Sequence, residues 1–370
     1  MRPITPRGDL DFHVAVYDYT VTPQRSLLTR LAGFIDVRVR KAGRHSVQRM
    51  RRVIRPLLSN RSGLRETRWG VTMLRAAEFA QAPVESHHRR GVARRYLRGV
   101  AGDRMDASAG HCLLPHERFD ADLLAKCRHL FEVKTGIHAG DGHSSGAGRL
   151  RAEKQMFLRN LLSNDDLTQN PWLVDFALDD AVLGMATRYL GAVPRLNRID
   201  LLYSVPRETD DNIASQLFHV DPEGVTQVKF FFNLFDTGDD QGPFTFIPAD
   251  ESRRILREVR SLHRAQGNTS VGRCTDAEIA AVGGTSAIVT VKGPAGSGVA
   301  VDTSRCLHLG SRVRRGSFRL CLYLQFCTSR ERGNVFDVGR YRSDMVRYLA
   351  VRDSIASVGT NVAAPHQMAG

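Results

Sequence analysis

The sequence lacks any apolar run near the ~20 residues that cross a bilayer, so no membrane span is expected. Its first residues, MRPITPRGDLDF, carry no apolar stretch behind their basic ones. A secretory signal is therefore not expected, and Asp9, Asp11 and Asp18 argue against an Arg-rich transit peptide. The six cysteines form no C-x-x-C pair and no zinc spacing, which excludes the usual structural zinc sites. Reduced thiols in a cytoplasmic protein are the expectation. Lysine is almost missing from the first hundred residues, where Lys41 stands alone, and Trp69 is the only tryptophan there. That region shows no aromatic interleaving and no reader motif of the kind nucleic-acid binding uses. No repeat at solenoid or propeller periods is found.

What is present is charge of one sign, unevenly placed. Of the 370 residues, 42% are hydrophobic and 25% charged, a globular balance. The net charge is +14. Residues 1–100 hold 21 basic and 7 acidic residues, and the other 270 hold 32 of each. The arginines at 38, 40, 44, 49, 51, 52, 55, 89, 90, 94, 95 and 98 read first as a solvated helix face. The alternatives are an anionic, phosphorylated or CoA-like substrate, an acidic carrier protein, or nucleic acid, the last not favoured.

The texture divides the chain. Residues 1–147 read as a basic, mainly helical accessory or cap region, with a short strand at His13–Tyr19, helical pattern from Gln24 to Leu97 and a helix at Asp120–Glu132. The Gly/Ser-rich stretch His138–Gly148 reads as a lid or linker. Its His138, Asp141 and His143 are too loosely held to preorganise a second metal cluster. Residues 148–335 start with helices at Arg151–Leu162 and Pro171–Leu190. Strands follow at Arg198–Val205, Ser215–Val220, Thr226–Phe235, Pro243–Pro248, Ser286–Lys292, Gly298–Asp302 and Ser317–Cys327, interrupted by a helix at Glu251–Gln266. Residues 336–370 read as a helix, Val338–Ala350, and a flexible tail.

The strand-rich part carries the chemistry. In SQLFHVD, His219 and Asp221 are two apart, and on a strand they would share a face. His308, in VDTSRCLHLGS, offers a third ligand. Two imidazoles and one carboxylate on one face of an octahedron leave three positions open, the pattern of non-heme Fe(II) oxygenases. A 2-oxo acid chelating that metal needs a cation for its distal carboxylate. Arg319, eleven residues after His308, suits it because a guanidinium pairs with a carboxylate in two-point fashion.

The order HVD, then QVKFFFNLFDTGDDQGPFTFIP, then HLGSRVRRGSFR resembles the phytanoyl-CoA dioxygenase-like family of Fe(II)/2-oxoglutarate-dependent oxygenases. The resemblance covers roughly Leu183–Cys327, about two-fifths of the chain. It implies an α+β fold: a double-stranded β-helix (jelly-roll, cupin-like) core with flanking helices. It implies Fe(II) held by His219, Asp221 and His308, and 2-oxoglutarate bound by Arg319. Gln216 matches a glutamine before the first histidine, and Ser311 matches a small hydroxyl position that supports the co-substrate. Asp236, Gly242, Pro243 and Pro248 match the family's strand, turn and strand. Its Pro-Gly-Ser-His signature reads Pro248, Ala249, Asp250, Glu251 here, a departure that bears on the substrate and not on the metal.

The implied reaction consumes 2-oxoglutarate and O2, releases succinate and CO2, and hydroxylates a C–H bond of a small organic substrate. Asp221 stands where related halogenases carry a small residue, so hydroxylation, desaturation or ring chemistry is expected over halogenation. Tyr203 is read as lining the co-substrate pocket or as a core tyrosine. Lys229 is read as an edge or pocket residue. Arg312, Arg314 and Arg315 either meet an anionic substrate or belong to a solvated loop. The reading from a different class is a nucleic-acid-associated protein that uses residues 1–100, with the barrel a modifier or inactive.

Overall fold

Nine consecutive residues, Arg319–Cys327, are buried along their whole length, and this run lies inside the largest sheet. The computed structural model describes residues 68–137, 157–207, 211–265, 272–329, 331–352 and 355–356. In chain order the helices are α1 (Arg68–Gln81), α2 (Pro83–Gly99), α3 (Ala121–Thr135), α4 (Asn164–Gln169), α5 (Pro171–Ala177), α6 (Asp180–Leu190), α7 (Ala249–Ala265), α8 (Asp276–Ala281) and α9 (Met345–Val351). The strands are β1 (His111–Leu114), β2 (Leu158–Asn160), β3 (Arg195–Ser204), β4 (Gln227–Asn233), β5 (Thr245–Phe246), β6 (Val289–Thr290), β7 (Gly298–Val301), β8 (His308–Leu309), β9 (Arg319–Cys327), β10 (Arg332–Gly333) and β11 (Ile355–Ala356). Six of them form an antiparallel sheet in the order β1-β7-β4-β9-β3-β2, and a second, three-stranded sheet runs β6-β5-β8.

The pleat explains both the burial and the site. Successive side chains of a strand point to opposite faces. On β9, Leu320, Leu322, Leu324 and Phe326 enter one large core with α2, α3, α5, α6 and α9. Each such side chain removed from water contributes about 1.5–3 kcal/mol. The alternate residues Cys321 and Tyr323 turn to the other face, where Leu202, Phe231 and Val299 pack on Phe244 and Phe246 near the second sheet. Phe231 and Phe244 stack at 4.3 Å. The second sheet is backed by Ile255, Leu256, Val259 and Ile279 of α7 and α8. Ser252 of α7 joins them, donating to the Ile247 carbonyl and accepting from the Leu307 amide. Two antiparallel sheets packed against each other, with helices outside, agree with the α+β expectation.

Several expected elements are corrected. Arg151–Leu162 is not a helix where described: Leu158–Asn160 is a strand paired with β3. Pro171–Leu190 is two helices, because Asp179 caps a new start by accepting from the Ala181 and Val182 amides. Val338–Ala350 is likewise broken by the Asp344 cap before α9. Ser215–Val220 is a short turn followed by single bridges, not a strand. Strand β1 and helix α8 carry too few residues for periodicity to show them.

The accessory region 1–147 is not set apart where it is described. β1 forms the edge of the six-stranded sheet by pairing with β7, and Phe131 of α3 is buried in the main core. Arg89 is buried and its guanidinium serves Glu85 and the carbonyls of Val193 and Pro194, so that arginine is structural. The arginines at 38–55, the strand His13–Tyr19, the start of the Gln24–Leu97 helical pattern, the stretch His138–Gly148 and most of the C-terminal tail lie outside the described residues.

Asp200 on β3 is fully buried, accepts from the Leu162 amide, and is pushed up to about 7 by burial despite Arg198. The unfolded carboxyl ionises near pH 4. Between about pH 4 and 7 the unfolded chain releases a proton that the folded chain keeps, so stability falls as pH rises through that window. Asp200→Asn has no proton to lose. Its stability relative to the unmodified protein should improve by up to about 4 kcal/mol from pH 4 to pH 8. Urea midpoints across that range check this, and a difference independent of pH would contradict it.

Candidate metal centre

Two histidines far apart in sequence meet because their backbones pair. The His219 amide donates to the His308 carbonyl at 3.0 Å, and the His308 amide returns the bond at 2.9 Å. The imidazoles then lie side by side, with ring centroids 4.3 Å apart. Asp221 is anchored two residues on by its amide, which donates to Thr303 at 2.8 Å. Donor atoms of His219, Asp221 and His308 all lie within 4.8 Å of one another.

Each ring is oriented the same way. Nδ1 of His219 donates to the Leu217 carbonyl at 2.8 Å, and Nδ1 of His308 to that of Cys306 at 3.0 Å. A carbonyl only accepts, so Nδ1 carries a proton and Nε2 is the nitrogen left to face the cavity. Burial, and then the neighbouring His308, pull His219 down to about 3, which keeps its ring uncharged. The two Nε2 atoms face the Asp221 carboxylate at 3.8 and 3.4 Å. Two imidazoles fixed through Nδ1 plus one carboxylate are the donor set of a divalent transition metal, so the residues fit one.

Lys229 on β4 completes this centre, and the sequence reading as an edge or pocket residue understated it. Its Nζ sits 2.6 Å from Asp221 Oδ2. Burial alone would push the Asp221 carboxyl up, but the Lys229 ammonium, then His308 and His219, hold it well below the usual range. Burial would lower the Lys229 ammonium, and Asp221 with Tyr323 and Glu223 holds it up instead. The signal was available in QVKFFFN: with Val228, Phe230 and Phe232 in the core, Lys229 must share the opposite face with Phe231. Lys229→Met should weaken divalent-metal affinity by about 10–100-fold, the usual cost of losing a residue that orients a ligand. Metal titration followed by calorimetry checks this, and unchanged affinity would contradict it.

The three donors line a cavity of about 180 Å3 that also takes in Ser311, Arg319, Phe231, Phe244 and Tyr323. Arg319 is 3% exposed. Its Nη1 donates to the Gly242 carbonyl at 3.0 Å, and its Nε has no hydrogen-bond partner. Among the described residues no carboxylate lies within ion-pair distance of it. Gly242 has φ +63°, and a Cβ there would meet the Arg312 backbone at 2.5 Å. Only glycine fits this turn, which presents the carbonyl to Arg319.

Ser311 lines the cavity at φ +64°, a strained conformation for a residue with a side chain. Its hydroxyl meets that of Ser204 at 2.9 Å. Gln216 holds this turn, donating to the Ser311 carbonyl at 2.9 Å, and does not itself line the cavity. For Tyr203 the core reading holds, and its placement at the co-substrate pocket is corrected. The side chain points to the opposite face of the sheet, with its ring between Phe131 at 5.1 Å and Phe318 at 6.0 Å. Strand parity decides this, since Ser204 and Tyr203 cannot share a face. Arg312 makes a two-point pair with Asp276, and Arg314 pairs with Asp240. Ala249, Asp250 and Glu251 form the first turn of α7 and do not line the cavity. The six cysteines are free thiols. Among the described residues no helix is long and apolar enough to cross a membrane. His138, Asp141 and His143 lie outside those residues.

No family model matches the chain, and no curated protein matches it. Solved structures similar to it include three enzymes. The non-heme alpha ketoglutarate dependent epimerase SnoN from nogalamycin biosynthesis is 17% identical, with 65% of this chain and 84% of that one covered, at a TM-score of 0.39. EctD from S. alaskensis, with 2-oxoglutarate and 5-hydroxyectoine, is 16% identical over 60% and 73% of the two chains, at 0.41. EvdO2 from Micromonospora carbonacea var. aurantiaca is 16% identical over 66% and 91%, at 0.42.

Proposed function

We propose that the chain is an Fe(II)- and 2-oxoglutarate-dependent oxygenase of the phytanoyl-CoA dioxygenase-like kind, with a double-stranded β-helix core and a small organic substrate. One observation carries the reading. A buried guanidinium without an anionic partner shares a cavity with two imidazoles and a carboxylate that face one another. A buried unpaired cation is costly, and that cost is removed when a carboxylate ligand enters.

Fe(II) and 2-oxoglutarate, when bound, would supply with O2 as oxidant the oxidative decarboxylation that yields succinate, CO2 and an oxidised substrate. The chain does the rest. His219 and His308 offer Nε2 because Nδ1 is tied to backbone carbonyls. Asp221 offers a carboxylate that Lys229 steadies. Arg319 takes the distal carboxylate of 2-oxoglutarate, with the Ser311 and Ser204 hydroxyls beside it. Leu202, Phe231 and Phe244 keep that part of the cavity apolar, which strengthens each polar contact inside it. Because Asp221 fills the third ligand position, hydroxylation is favoured over halogenation.

The test is succinate release by the purified full chain. Succinate should accumulate only with Fe(II), 2-oxoglutarate and O2 together, and a chelator should stop it. Release that ignores the metal, or none under any of these conditions, would sink the proposal.

A further inference from the structure

The cavity is cationic at two places, and strand register sets them apart. Arg319, Tyr323 and Gln325 of β9 all line it. Arg319 is paired with Ser204 of β3, whereas Gln325 lies between Arg198 of β3 and Lys229 of β4. Six residues of strand separate the two positions, about 20 Å of backbone at about 3.3 Å per residue. The Arg319 end is closed. The other end opens to solvent, since the side chains of Arg198 and Glu223 are 43% and 44% exposed.

Polar groups at the open end are only partly used. Arg198 is held by a loose ion pair alone, its Nε 3.6 Å from Asp200 and beyond hydrogen-bond distance. Among the described residues neither the Arg198 Nη atoms nor the Tyr323 hydroxyl has a hydrogen-bond partner. Lys229 is spent on Asp221, a carboxylate that a bound metal would share, which leaves the ammonium's charge facing the cavity. 2-Oxoglutarate is far shorter than the row of side chains. Held between the metal ligands and Arg319, it does not occupy the Arg198 end.

We infer that Arg198, with Lys229 and Tyr323, forms an anion site for the substrate, and that the substrate is a small polar molecule bearing a carboxylate or phosphate, not a long acyl chain. The inference rests on the oxygenase reading above. Arg198 pairs with an oxyanion in two-point fashion, and Tyr323 donates one more hydrogen bond. Glu223, 3.9 Å from Lys229, offers an acceptor to a neighbouring hydroxyl or amino group. Leu202 sits nearer Arg319 by register and Phe231 lies opposite Tyr323, while Arg198, Glu223, Lys229 and Gln325 line the mouth itself, so the entrance offers a chain of methylenes little apolar surface.

The test uses the full chain with Fe(II), 2-oxoglutarate and O2. Succinate release above the substrate-free background is measured with small carboxylates, with small organophosphates, and with their uncharged and acyl-chain analogues. Stimulation should be confined to oxyanion-bearing compounds, and the panel that responds tells carboxylate from phosphate. Arg198→Gln should raise their KM roughly tenfold or more, in line with the loss of a charged hydrogen bond. Arg198→Lys should restore part of it. The KM for 2-oxoglutarate should follow Arg319 and not Arg198. Stimulation by uncharged or acyl-chain compounds, silence of both oxyanion panels, or a 2-oxoglutarate KM that rises in Arg198→Gln would overturn the inference. Failure of the oxygenase reading looks different: no iron-dependent succinate release even without added substrate, which would take the inference with it.

Discussion

Arg319→Met should make the metal-free protein more stable and weaken its binding of 2-oxoglutarate roughly a hundredfold. The guanidinium is 3% exposed, its Nε is unpaired, and burial lowers its pKa because nothing anionic offsets the desolvation. Replacing a buried charge with an apolar side chain of similar length commonly gains about 1–4 kcal/mol. The lost hydrogen bond to Gly242 takes back about 1 kcal/mol. The net expectation is a Tm higher by a few degrees. Truncating one partner of a buried, charged pair costs about 2–5 kcal/mol in binding, so 2-oxoglutarate should bind roughly a hundredfold more weakly. With metal already bound, 2-oxoglutarate at a concentration that saturates the unmodified protein should raise its Tm further through linkage, and in Arg319→Met that further increment should shrink sharply. A structural arginine would behave oppositely: the substitution would lower the Tm of the metal-free protein and leave the increment in place.

His308→Ala should abolish turnover while the sheet stays intact. The backbone bonds between residues 219 and 308 do not depend on the side chain. What is lost is one of three donors converging in the cavity. Losing a residue that merely orients a ligand costs about 10–100-fold in metal affinity, so losing the ligand should cost at least about a hundredfold. Calorimetry with a divalent metal and succinate release should fall together, with far-ultraviolet circular dichroism unchanged. Retained metal affinity would show that the three residues are ordinary buried polar groups.

Much of this centre was legible in the sequence, and what was not has physical reasons. His219, Asp221, His308 and Arg319 were found by spacing and chemistry, and the structure brings the four to one cavity. His219 and Asp221 do not lie on a regular strand; single bridges of Phe218 to Cys274 and of His219 to His308, with the Asp221–Thr303 bond, hold this stretch extended. Tyr203 was left between pocket and core because one residue of register reverses a side chain's face, and the core reading holds. Lys229 was underread because an ion pair across two strands leaves no mark in linear spacing. The break between α5 and α6 was hidden because both halves share one apolar period, and only the Asp179 cap ends the first. β1 lay unseen in the basic region because a four-residue edge strand has too few residues to show alternation.

The most direct measurement of the central claim is anaerobic titration of 2-oxoglutarate into the Fe(II)-loaded full chain, followed by the visible metal-to-ligand charge-transfer absorption. The account predicts a saturable band that is absent in His308→Ala and needs roughly a hundredfold more 2-oxoglutarate in Arg319→Met. No band in the unmodified protein, or one indifferent to both substitutions, would contradict it.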